Sequence, residues 1–493
     1  MDTPFDVTAW RPTRVPKPGD LELSDNDITS LGLQLQDQTN AIHAHAYDPN
    51  TWLQRAKTLK ELRYPELALG DAHKASALCR KHLNRLDDGT KIFWRLGHRM
   101  GFWMLDPDEP RDEEQNDMLE QYLVRLQSRA HQVEVNCMYF FPEHEEGRFR
   151  RRAYPWIHES HRQRSDNLLD LLSQEFADNI ANHEDDERPH CVVRRHAFGQ
   201  SDNGKDTRDV LGVFAAKGID AGEEILVDKT RTWGCNGPGR NVDMRNLFGG
   251  KGCGDPIHPN DESDDANLDL RWIRDDAGKQ AATTLLNCRL LLCCIQDSVE
   301  HPLDHPLIAR LTPTYREDKM NVYSLLHDFT LPNQALQRFG IDIFANHNFD
   351  TWVLFTIQAR VLNNSCGDPI AECLNPLFCL FNHSCEPNVL WTTAEDHRTI
   401  RVRAARNLQQ GEQLFVEYDG FMSDQPLATR RKRMMQWLDG PCQCSRCARE
   451  EKEIQRQRKE KRDSVSEVET REWDIPNHAK VVLPEDLLVP LKN

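Results

Sequence analysis

Residues 382–388 read NHSCEPN, a polar stretch in which a histidine and a cysteine stand two positions apart. Residues 411–418 read GEQLFVEY, so that a glycine is followed by an apolar segment that ends in a tyrosine. Cys442, Cys444 and Cys447 then form a C-x-C-x2-C pattern. Each pattern alone is a weak signal, but the three in this order are specific. We therefore expect them to form one functional centre.

The three late cysteines have the spacing of a zinc site. A short turn can direct three sulfurs at one ion, and structural zinc takes four tetrahedral ligands. Cys385 is the leading candidate for the fourth ligand, because it would join the C-terminal segment to the polar stretch and stabilise the fold. The rival fourth ligands are Cys366, Cys373 and Cys379. The other interpretations are unrelated buried thiols and a nucleophilic Cys385 with His383 as its base.

Length and composition limit the possible classes of protein. The chain has 493 residues, which favours two to four domains, and its 38% hydrophobic and 29% charged residues are typical of a soluble protein. The apolar runs are too short for a membrane helix, so we expect no membrane partner and a location in the nucleus or cytoplasm. Fifteen cysteines without a secretory signal favour reduced thiols and metal ligation. A net charge of −17 argues against direct sequence-specific nucleic-acid binding, and hence against a zinc-dependent nucleic-acid module.

The N-terminal quarter predicts helices. Residues 1–24 contain four prolines and no periodicity, so we expect an extended arm. From 25 to 135 the pattern is helical, and the spacing of Ala56, Ala68 and Ala75 resembles a tetratricopeptide unit broken at Tyr64-Pro65. The functional interpretation is a groove that binds a partner protein. The alternative is an ordinary helical hairpin packed on the next domain.

The remaining boundaries follow shifts in composition. Residues 136–190 read as a connecting region that ends in an acidic loop, and 191–420 as a strand-rich domain with a helical insertion at about 281–375. The cysteine segment follows at 421–450, and its basic run at 430–433 predicts the solvated face of a helix. The tail at 451–493 is almost entirely charged, which favours a solvated helix or disorder.

One pattern repeats inside the strand-rich domain. Residues 215–228 read AAKGIDAGEEILVD and residues 404–417 read AARNLQQGEQLFVE. Each copy predicts a strand, a turn at Gly-Glu and a second strand, with Gly222 and Gly411 allowing the tight reversal. We therefore expect two similar β-hairpins in one compact domain.

Taken together, the polar stretch, the segment that ends at Tyr418 and the C-x-C-x2-C cluster resemble the SET domain and post-SET motif of protein lysine methyltransferases. The nearest resemblance is to the SMYD-like group and its tetratricopeptide-bearing fungal relatives. The resemblance implies an α+β fold, in which a helical N-terminal region precedes a β-rich SET domain. In such a domain the segments around Asn382 and Tyr418 form a pseudoknot, and a zinc site follows the domain.

The resemblance also implies roles for individual residues. The expected contacts of S-adenosylmethionine are Gly212, Phe214, Asn364, Asn382, His383 and Tyr418. Tyr418 would be the catalytic tyrosine, and the expected zinc ligands are Cys385, Cys442, Cys444 and Cys447. The implied activity is methylation of lysine in a histone or a non-histone protein. Methyl transfer of this kind depends mainly on positioning a neutral amine in line with the sulfonium.

Two departures from the family pattern motivate a rival function. Val210 stands where the first cofactor loop usually has glycine, and no aromatic residue directly precedes Cys442. Trp437 is the candidate substitute for that aromatic residue. The rival is a catalytically silent scaffold, in which the SET fold and the helical region mediate protein interactions.

Overall fold

The structure is a computed structural model that describes the chain in separate ranges. These ranges are 23–87, 113–139, 148–150, 152–179, 181, 189–197, 209–230, 232–235, 281–313, 320–322, 325–367, 371–420, 424–435, 437–438 and 440–469. The predicted N-terminal arm, most of the acidic loop before residue 190 and the end of the charged tail lie outside them. In these ranges no helix combines the length and apolar character needed to cross a bilayer.

Helices build the N-terminal part of the described chain. Their bounds are Asp25–Ala44 (α1), Pro49–Glu61 (α2), Pro65–Asp87 (α3) and Glu113–Tyr139 (α4). At the start of α1, Ser24 accepts the Asp27 N–H and the Asp27 carboxylate accepts the Ser24 N–H, a capping box that satisfies two exposed donors. The chain breaks between α2 and α3 at the predicted Tyr64-Pro65, because proline suits the first position of a helix but not its interior.

The small residues of the helical pattern lie where helices meet. Ala56 and Ala68 are completely buried and Ala75 is 1% exposed. The apolar core that contains them continues into residues such as Leu290 and Val353 of the predicted insertion. The helices therefore pack on the insertion. This packing is what the alternative hypothesis, an ordinary helical hairpin packed on the next domain, requires.

A buried ion network joins the N-terminal helices to the insertion. The Nε of Arg55 lies 2.7 Å from the Asp71 carboxylate, and Arg55 Nη2 lies 2.9 Å from the carboxylate of Asp350. The Lys74 ammonium lies 3.4 Å from Asp350 and 4.4 Å from the centre of the Trp52 ring. Burial alone would raise the pKa of Asp350, but Arg55 and Lys74 hold it below its usual value.

Short strands form several small sheets. The strands are Arg148–Arg150 (β1), Cys191–Ala197 (β2), Asp209–Ala215 (β3), Glu224–Lys229 (β4), Trp233–Cys235 (β5), Met320–Val322 (β6), Cys366–Gly367 (β7), Ala371–Cys373 (β8), Asn382–His383 (β9), Val389–Thr393 (β10), Thr399–Ala404 (β11) and Phe415–Val416 (β12). The sheet orders are β1-β6, β2-β3, β10-β11-β4, β12-β9 and β5-β8-β7. Their pairing is antiparallel except for β9 with β12. A second apolar core lies among these sheets and includes Val213, Val402 and Val416.

The two copies of the repeated pattern, 215–228 and 404–417, exchange hydrogen bonds with each other. The Ile219 N–H donates to the Leu408 carbonyl at 3.1 Å, and the Leu408 N–H donates to the Ile219 carbonyl at 2.9 Å. These residues are equivalent in the two copies. The prediction that each copy forms one of two similar β-hairpins is wrong, because β3 pairs with β2 while β4 pairs with β11.

The turn glycines of the repeat have equivalent partners. The Gly222 N–H donates to the Ala404 carbonyl at 2.9 Å, and the Gly411 N–H donates to the Ala215 carbonyl at 2.8 Å. Both glycines have positive φ, at 85° and 83°, which other residues rarely adopt. The two copies are therefore related by an approximate two-fold arrangement.

The remaining helices belong mainly to the insertion and the C-terminal segment. They are Glu159–Arg162 (α5), Asp166–Ala177 (α6), Ala281–Gln296 (α7), Pro306–Ala309 (α8), Leu331–Arg338 (α9), Thr351–Asn364 (α10), Leu427–Met434 (α11) and Ser445–Glu469 (α12). Helix α12 runs across the predicted boundary at residue 450, as α4 does at residue 135. The predicted solvated face at 430–433 is wrong for Arg430, which is 1% exposed. Helical periodicity places Arg430 beside the buried Met434.

Candidate active site and metal centre

The polar stretch and the segment that ends at Tyr418 lie side by side. Strands β9 and β12 pair in parallel, with Asn382 opposite Phe415 and His383 opposite Val416. Asn388 extends this contact, because its side-chain oxygen accepts the Phe415 N–H at 2.7 Å while its amide nitrogen donates to the Gln413 carbonyl at 2.8 Å. The first and last residues of NHSCEPN are therefore fixed against one segment.

His383 occupies the centre of this arrangement. Its Nδ1 accepts the backbone N–H of Tyr418 at 3.2 Å, so the neutral ring carries its proton on Nε2. That Nε2 lies 3.3 Å from the sulfur of Cys385 and donates toward it. Burial lowers the pKa of His383 to about 4. The imidazole is thus a neutral link between the tyrosine backbone and the cysteine.

The Tyr418 phenol is held in a largely apolar site. Its hydroxyl donates to the Phe381 carbonyl at 2.9 Å. The ring lies 5.2 Å from the His383 ring and 6.1 Å from the Trp437 ring, measured between centroids. Burial and the neighbouring Cys379 raise the pKa of Tyr418 above its usual value. The phenol therefore remains neutral, and its oxygen lone pairs can accept a hydrogen bond.

Three of the six residues predicted to contact the cofactor, Gly212, Phe214 and Asn382, lie close together. The Asn382 amide donates to the Leu211 carbonyl at 3.0 Å. A Cβ at Gly212 would lie 2.6 Å from Gln413 Nε2, 3.2 Å from the Phe214 ring and 3.3 Å from Asn382 Nδ2. Only glycine allows this close approach without displacing a neighbour.

Gln413 is a candidate site residue that the sequence interpretation missed. Its side-chain Nε2 is buried and has no hydrogen-bond partner within the described residues. An unsatisfied buried donor is costly, so a polar ligand that accepts from it would be stabilised here. This donor, next to Gly212 and Asn382, fits the polar part of S-adenosylmethionine. In the sequence, the feature that could have indicated its role is its position directly after the Gly411-Glu412 turn.

Asn364 is not joined to this group by any hydrogen bond in the described ranges. Its amide nitrogen donates to the carbonyls of Thr312 at 2.9 Å and Arg360 at 2.6 Å. Its predicted cofactor contact therefore stays a prediction. Val210 lies in the regular strand β3 opposite His196 and does not have positive φ, so it introduces no strain there.

Asp228 holds the turn that precedes the polar stretch. Its fully buried carboxylate accepts the N–H groups of Leu377 at 2.8 Å and Phe378 at 2.7 Å. Burial raises the pKa of Asp228 to about 6, against the opposing effect of those two hydrogen bonds. Asp228 thereby connects β4 to the backbone that leads to Asn382.

The four predicted zinc ligands form one cluster. The sulfurs of Cys385, Cys442, Cys444 and Cys447 all lie within 4.8 Å of one another. Cys385 Sγ is 3.9 Å from Cys442 Sγ and 3.6 Å from Cys447 Sγ. Tetrahedral zinc with Zn–S bonds of about 2.3 Å separates its sulfurs by about 3.8 Å. The cluster therefore has the dimensions of a zinc–tetrathiolate site.

The chemistry of the cluster also suits a metal. Hydrogen bonds from Cys385 and Cys442 hold the pKa of Cys444 below its usual value, and the Cys447 backbone N–H adds to this effect. The same shared protons raise the pKa of Cys385. A thiolate is the form that binds metal, and the hydrogen bonds within the cluster favour the thiolate at Cys444.

The rival fourth ligands have other partners. Cys366 Sγ lies 3.7 Å from Asn375 Oδ1, Cys373 Sγ lies 3.1 Å from the His397 carbonyl, and Cys379 Sγ lies 3.4 Å from the Pro376 carbonyl. All three cysteines belong to strands or turns outside the cluster. The structure therefore places Cys385, and not these residues, beside the C-x-C-x2-C segment.

A second group of possible ligands contains His161, His301 and Asp304. His161 Nε2 lies 3.1 Å from the Asp304 carboxylate. However, His301 Nδ1 accepts the Leu303 N–H at 3.2 Å, which places its ring proton on Nε2. The lone pair of His301 is therefore used inside the protein, and the group does not fit a metal.

Comparisons with known proteins show what the chain is similar to. Residues 278–419 match the family model described as "SET domain". The chain is 30% identical over 91 residues to "SET domain and MYND-type zinc finger protein 6" of Schizosaccharomyces pombe, covering 18% of each chain. It is 28% identical over 97 residues to "SET and MYND domain-containing protein DDB_G0292140" of Dictyostelium discoideum, covering 20% of this chain and 18% of the relative.

A third relative is "Histone-lysine N-methyltransferase SET5" of Yarrowia lipolytica, which is 40% identical over 72 residues, or 15% of this chain and 16% of the relative. The chain thus spans less than a fifth of the length of these three curated relatives. The solved "Structure of Rubisco LSMT bound to AdoMet" matches with a TM-score of 0.30 and 13% identity over 56% of this chain and 57% of that one. Residues 278–419 of the chain are therefore similar to a SET domain, and short parts of the chain are similar to the SET and MYND domain proteins.

Proposed function

We propose that this protein is an S-adenosylmethionine-dependent protein-lysine N-methyltransferase with a structural zinc site. The observation that carries the proposal is the position of the Tyr418 hydroxyl, which is fixed by the Phe381 carbonyl at 2.9 Å beside the pseudoknot-like pairing of β9 and β12. When bound, S-adenosylmethionine would supply an electrophilic methyl group for a neutral lysine nitrogen, with S-adenosylhomocysteine as the leaving group and a proton lost from the amine.

The residues of the site have complementary roles in this proposal. Tyr418 accepts a hydrogen bond from the lysine amine and directs its lone pair, since the phenol proton is already donated to Phe381. The apolar surroundings of Tyr418 favour the neutral amine over the ammonium ion. Gly212, Asn382 and Gln413 bind the cofactor, because a close backbone approach and an unsatisfied donor lie next to one another there.

Zinc has a structural role in the proposal. Cys385, Cys442, Cys444 and Cys447 would hold it with no open position, as structural zinc sites require. Because Cys385 also contacts His383, the metal would fix the imidazole that supports the Tyr418 backbone. The N-terminal helices are proposed to support the insertion, since they share its core, and a partner for them is left as a separate hypothesis.

The test is methyl transfer from isotope-labelled S-adenosylmethionine to core histones and to a fractionated cell extract, with mass spectrometry of modified lysines. We expect label on lysine, and a fall of about 100-fold in kcat for Tyr418→Phe, because a small misplacement of the amine costs that much. The matched control Tyr122→Phe, on α4, should retain the wild-type rate. A folded, zinc-loaded protein that shows no calorimetric binding of S-adenosylmethionine would refute the enzyme and favour the silent scaffold.

A further inference from the structure

Arg430 is a buried arginine in contact with the cysteine cluster. It lies in α11, and only 1% of its surface is exposed. One of its terminal nitrogens, Nη2, lies 3.6 Å from the Cys447 sulfur and 2.8 Å from Glu450 Oε2. The Cys385, Cys442 and Cys447 side chains pack with Met434 on the same side of the helix. A buried guanidinium thus lies against one sulfur of the cluster.

The charge of a zinc–tetrathiolate site explains why a buried cation is useful. Four thiolates around one Zn²⁺ carry a net charge of −2, and an uncompensated charge is costly to bury. A guanidinium is permanently protonated and can donate several hydrogen bonds in fixed directions. Arg430 therefore supplies positive charge and a donor to the sulfur that it contacts.

The acidic partner of Arg430 does not cancel this effect. Glu450 also binds Arg446, whose Nε lies 2.8 Å from Glu450 Oε1. Arg446 in turn donates from Nη1 to the Cys385 carbonyl at 3.2 Å. One carboxylate is thus shared by two guanidinium groups, which leaves a net positive charge beside the cluster.

We propose that Arg430 is a positioning residue of the metal centre, one that neutralises part of its negative charge and holds the Cys447 sulfur through an N–H···S hydrogen bond. This inference rests on the zinc site assigned under the proposed function. Its consequences are slower loss of the metal and weaker nucleophilicity of the Cys447 thiolate, since a hydrogen-bonded sulfur shares its electron pair with the donor.

The inference is tested on the full-length zinc-loaded protein with Arg430→Gln, Arg430→Lys and the control Arg433→Gln. Arg433 lies on the same helix but pairs with the Asp419 carboxylate at 2.7 Å, and its side chain is 55% exposed. Two properties are measured under native conditions: zinc transfer to a chromogenic chelator, and alkylation of individual cysteines by iodoacetamide, read by peptide mass spectrometry. Neither readout depends on methyl transfer.

We expect Arg430→Gln to weaken zinc affinity by about 10–100-fold, the usual effect of losing an outer partner of a ligand. Alkylation should increase first at Cys447. Arg430→Lys should restore part of the affinity through its charge but leave Cys447 more reactive than in wild type, because one ammonium does not reproduce the directions of the guanidinium fork. Arg433→Gln should match wild type in both measurements.

The outcomes separate this inference from the zinc proposal. A wild-type protein without zinc overturns the zinc site and this inference together. Suppose instead that the wild type binds zinc, and that Arg430→Gln transfers zinc and is alkylated at Cys447 at the same rates as the wild type. That result overturns only the role of Arg430. If Arg430→Gln does not fold, the folded Arg430→Lys variant decides, and wild-type reactivity at its Cys447 overturns the inference.

Discussion

His383 Nε2 lies 3.3 Å from the sulfur of Cys385, while Nδ1 of the same ring accepts the Tyr418 N–H. One imidazole therefore connects the cysteine cluster with the backbone of the proposed catalytic tyrosine. The hydrogen bond accepted by Nδ1 fixes the tautomer, because a neutral ring has one donor nitrogen and one acceptor nitrogen. A change in the geometry of the cysteine cluster should consequently alter the position of Tyr418.

Removal of zinc should reduce both stability and methyl transfer. A chelator is expected to lower the Tm and the activity, and added Zn²⁺ should restore them, because metal binding contributes directly to folding free energy. The measurements are zinc content, Tm and methyl transfer on the same samples. Cys444→Ser should behave like the chelated protein, whereas Cys366→Ser should retain its zinc. Equal zinc content in the two variants would contradict the assigned ligand set.

Gly212→Ala should weaken the proposed cofactor site while leaving the fold intact. The new Cβ would lie 2.6 Å from the flexible end of Gln413, which must move away from residue 212. We expect a packing cost of about 1–3 kcal/mol and a raised Kd for S-adenosylmethionine. Calorimetry and thermal unfolding measure these two quantities. In the control Gly218→Ala, the nearest heavy atom is 4.0 Å away, so both quantities should stay at wild-type values.

Asp228→Asn should change how stability depends on pH. The pKa of Asp228 is raised to about 6, so the folded chain holds a proton that the unfolded chain has already lost. The stabilisation is complete below the ordinary aspartate pKa and disappears as pH rises through about 6. The variant has no titrating carboxyl group at this position and does not lose this stabilisation. The difference in Tm, variant minus wild type, should therefore increase between about pH 4 and about pH 7. A Tm difference that is constant with pH would contradict the assignment, and Asp220→Asn on the surface serves as control.

Asp350→Asn should destabilise the contact between the N-terminal helices and α10. Within the described residues it leaves the buried Arg55 paired with Asp71 alone and removes the carboxylate that lies 3.4 Å from Lys74. Such loss of one member of a buried ion network costs about 3–5 kcal/mol. Chemical denaturation monitored by tryptophan fluorescence measures the change. Adding Lys74→Met should recover part of the loss, because it removes the unpaired cation. If the effects of the two substitutions on the free energy of unfolding simply add, the two residues are not coupled.

The sequence was most informative where short-range spacing decides the chemistry. The C-x-C-x2-C pattern needs only a local turn, and the demand of zinc for a fourth ligand made Cys385 the leading candidate, with Cys366, Cys373 and Cys379 as rivals. Arg430 was misread because a run of four basic residues looks solvated, although the helical period directs its first member toward Met434. Gln413 carries no signal by itself, since an unsatisfied amide becomes visible only when its surroundings are known.

Long-range pairing was the part that the sequence did not determine. The repeat between 215–228 and 404–417 was visible, but a sequence pattern does not say which strands pair. For the same reason, the alanine spacing of the N-terminal helices did not show that the insertion covers them. That contact depends on the apolar core shared by helices distant in sequence.

The reciprocal bonds between Ile219 and Leu408 have a consequence for biosynthesis. The first copy of the repeat leaves the ribosome well before the second has been translated, and until then its backbone groups lack their final partners. Closing so long an intervening loop costs entropy before any native contact repays it. The strand-rich part should therefore assemble only after the second copy has been translated, and the helical insertion can fold before that.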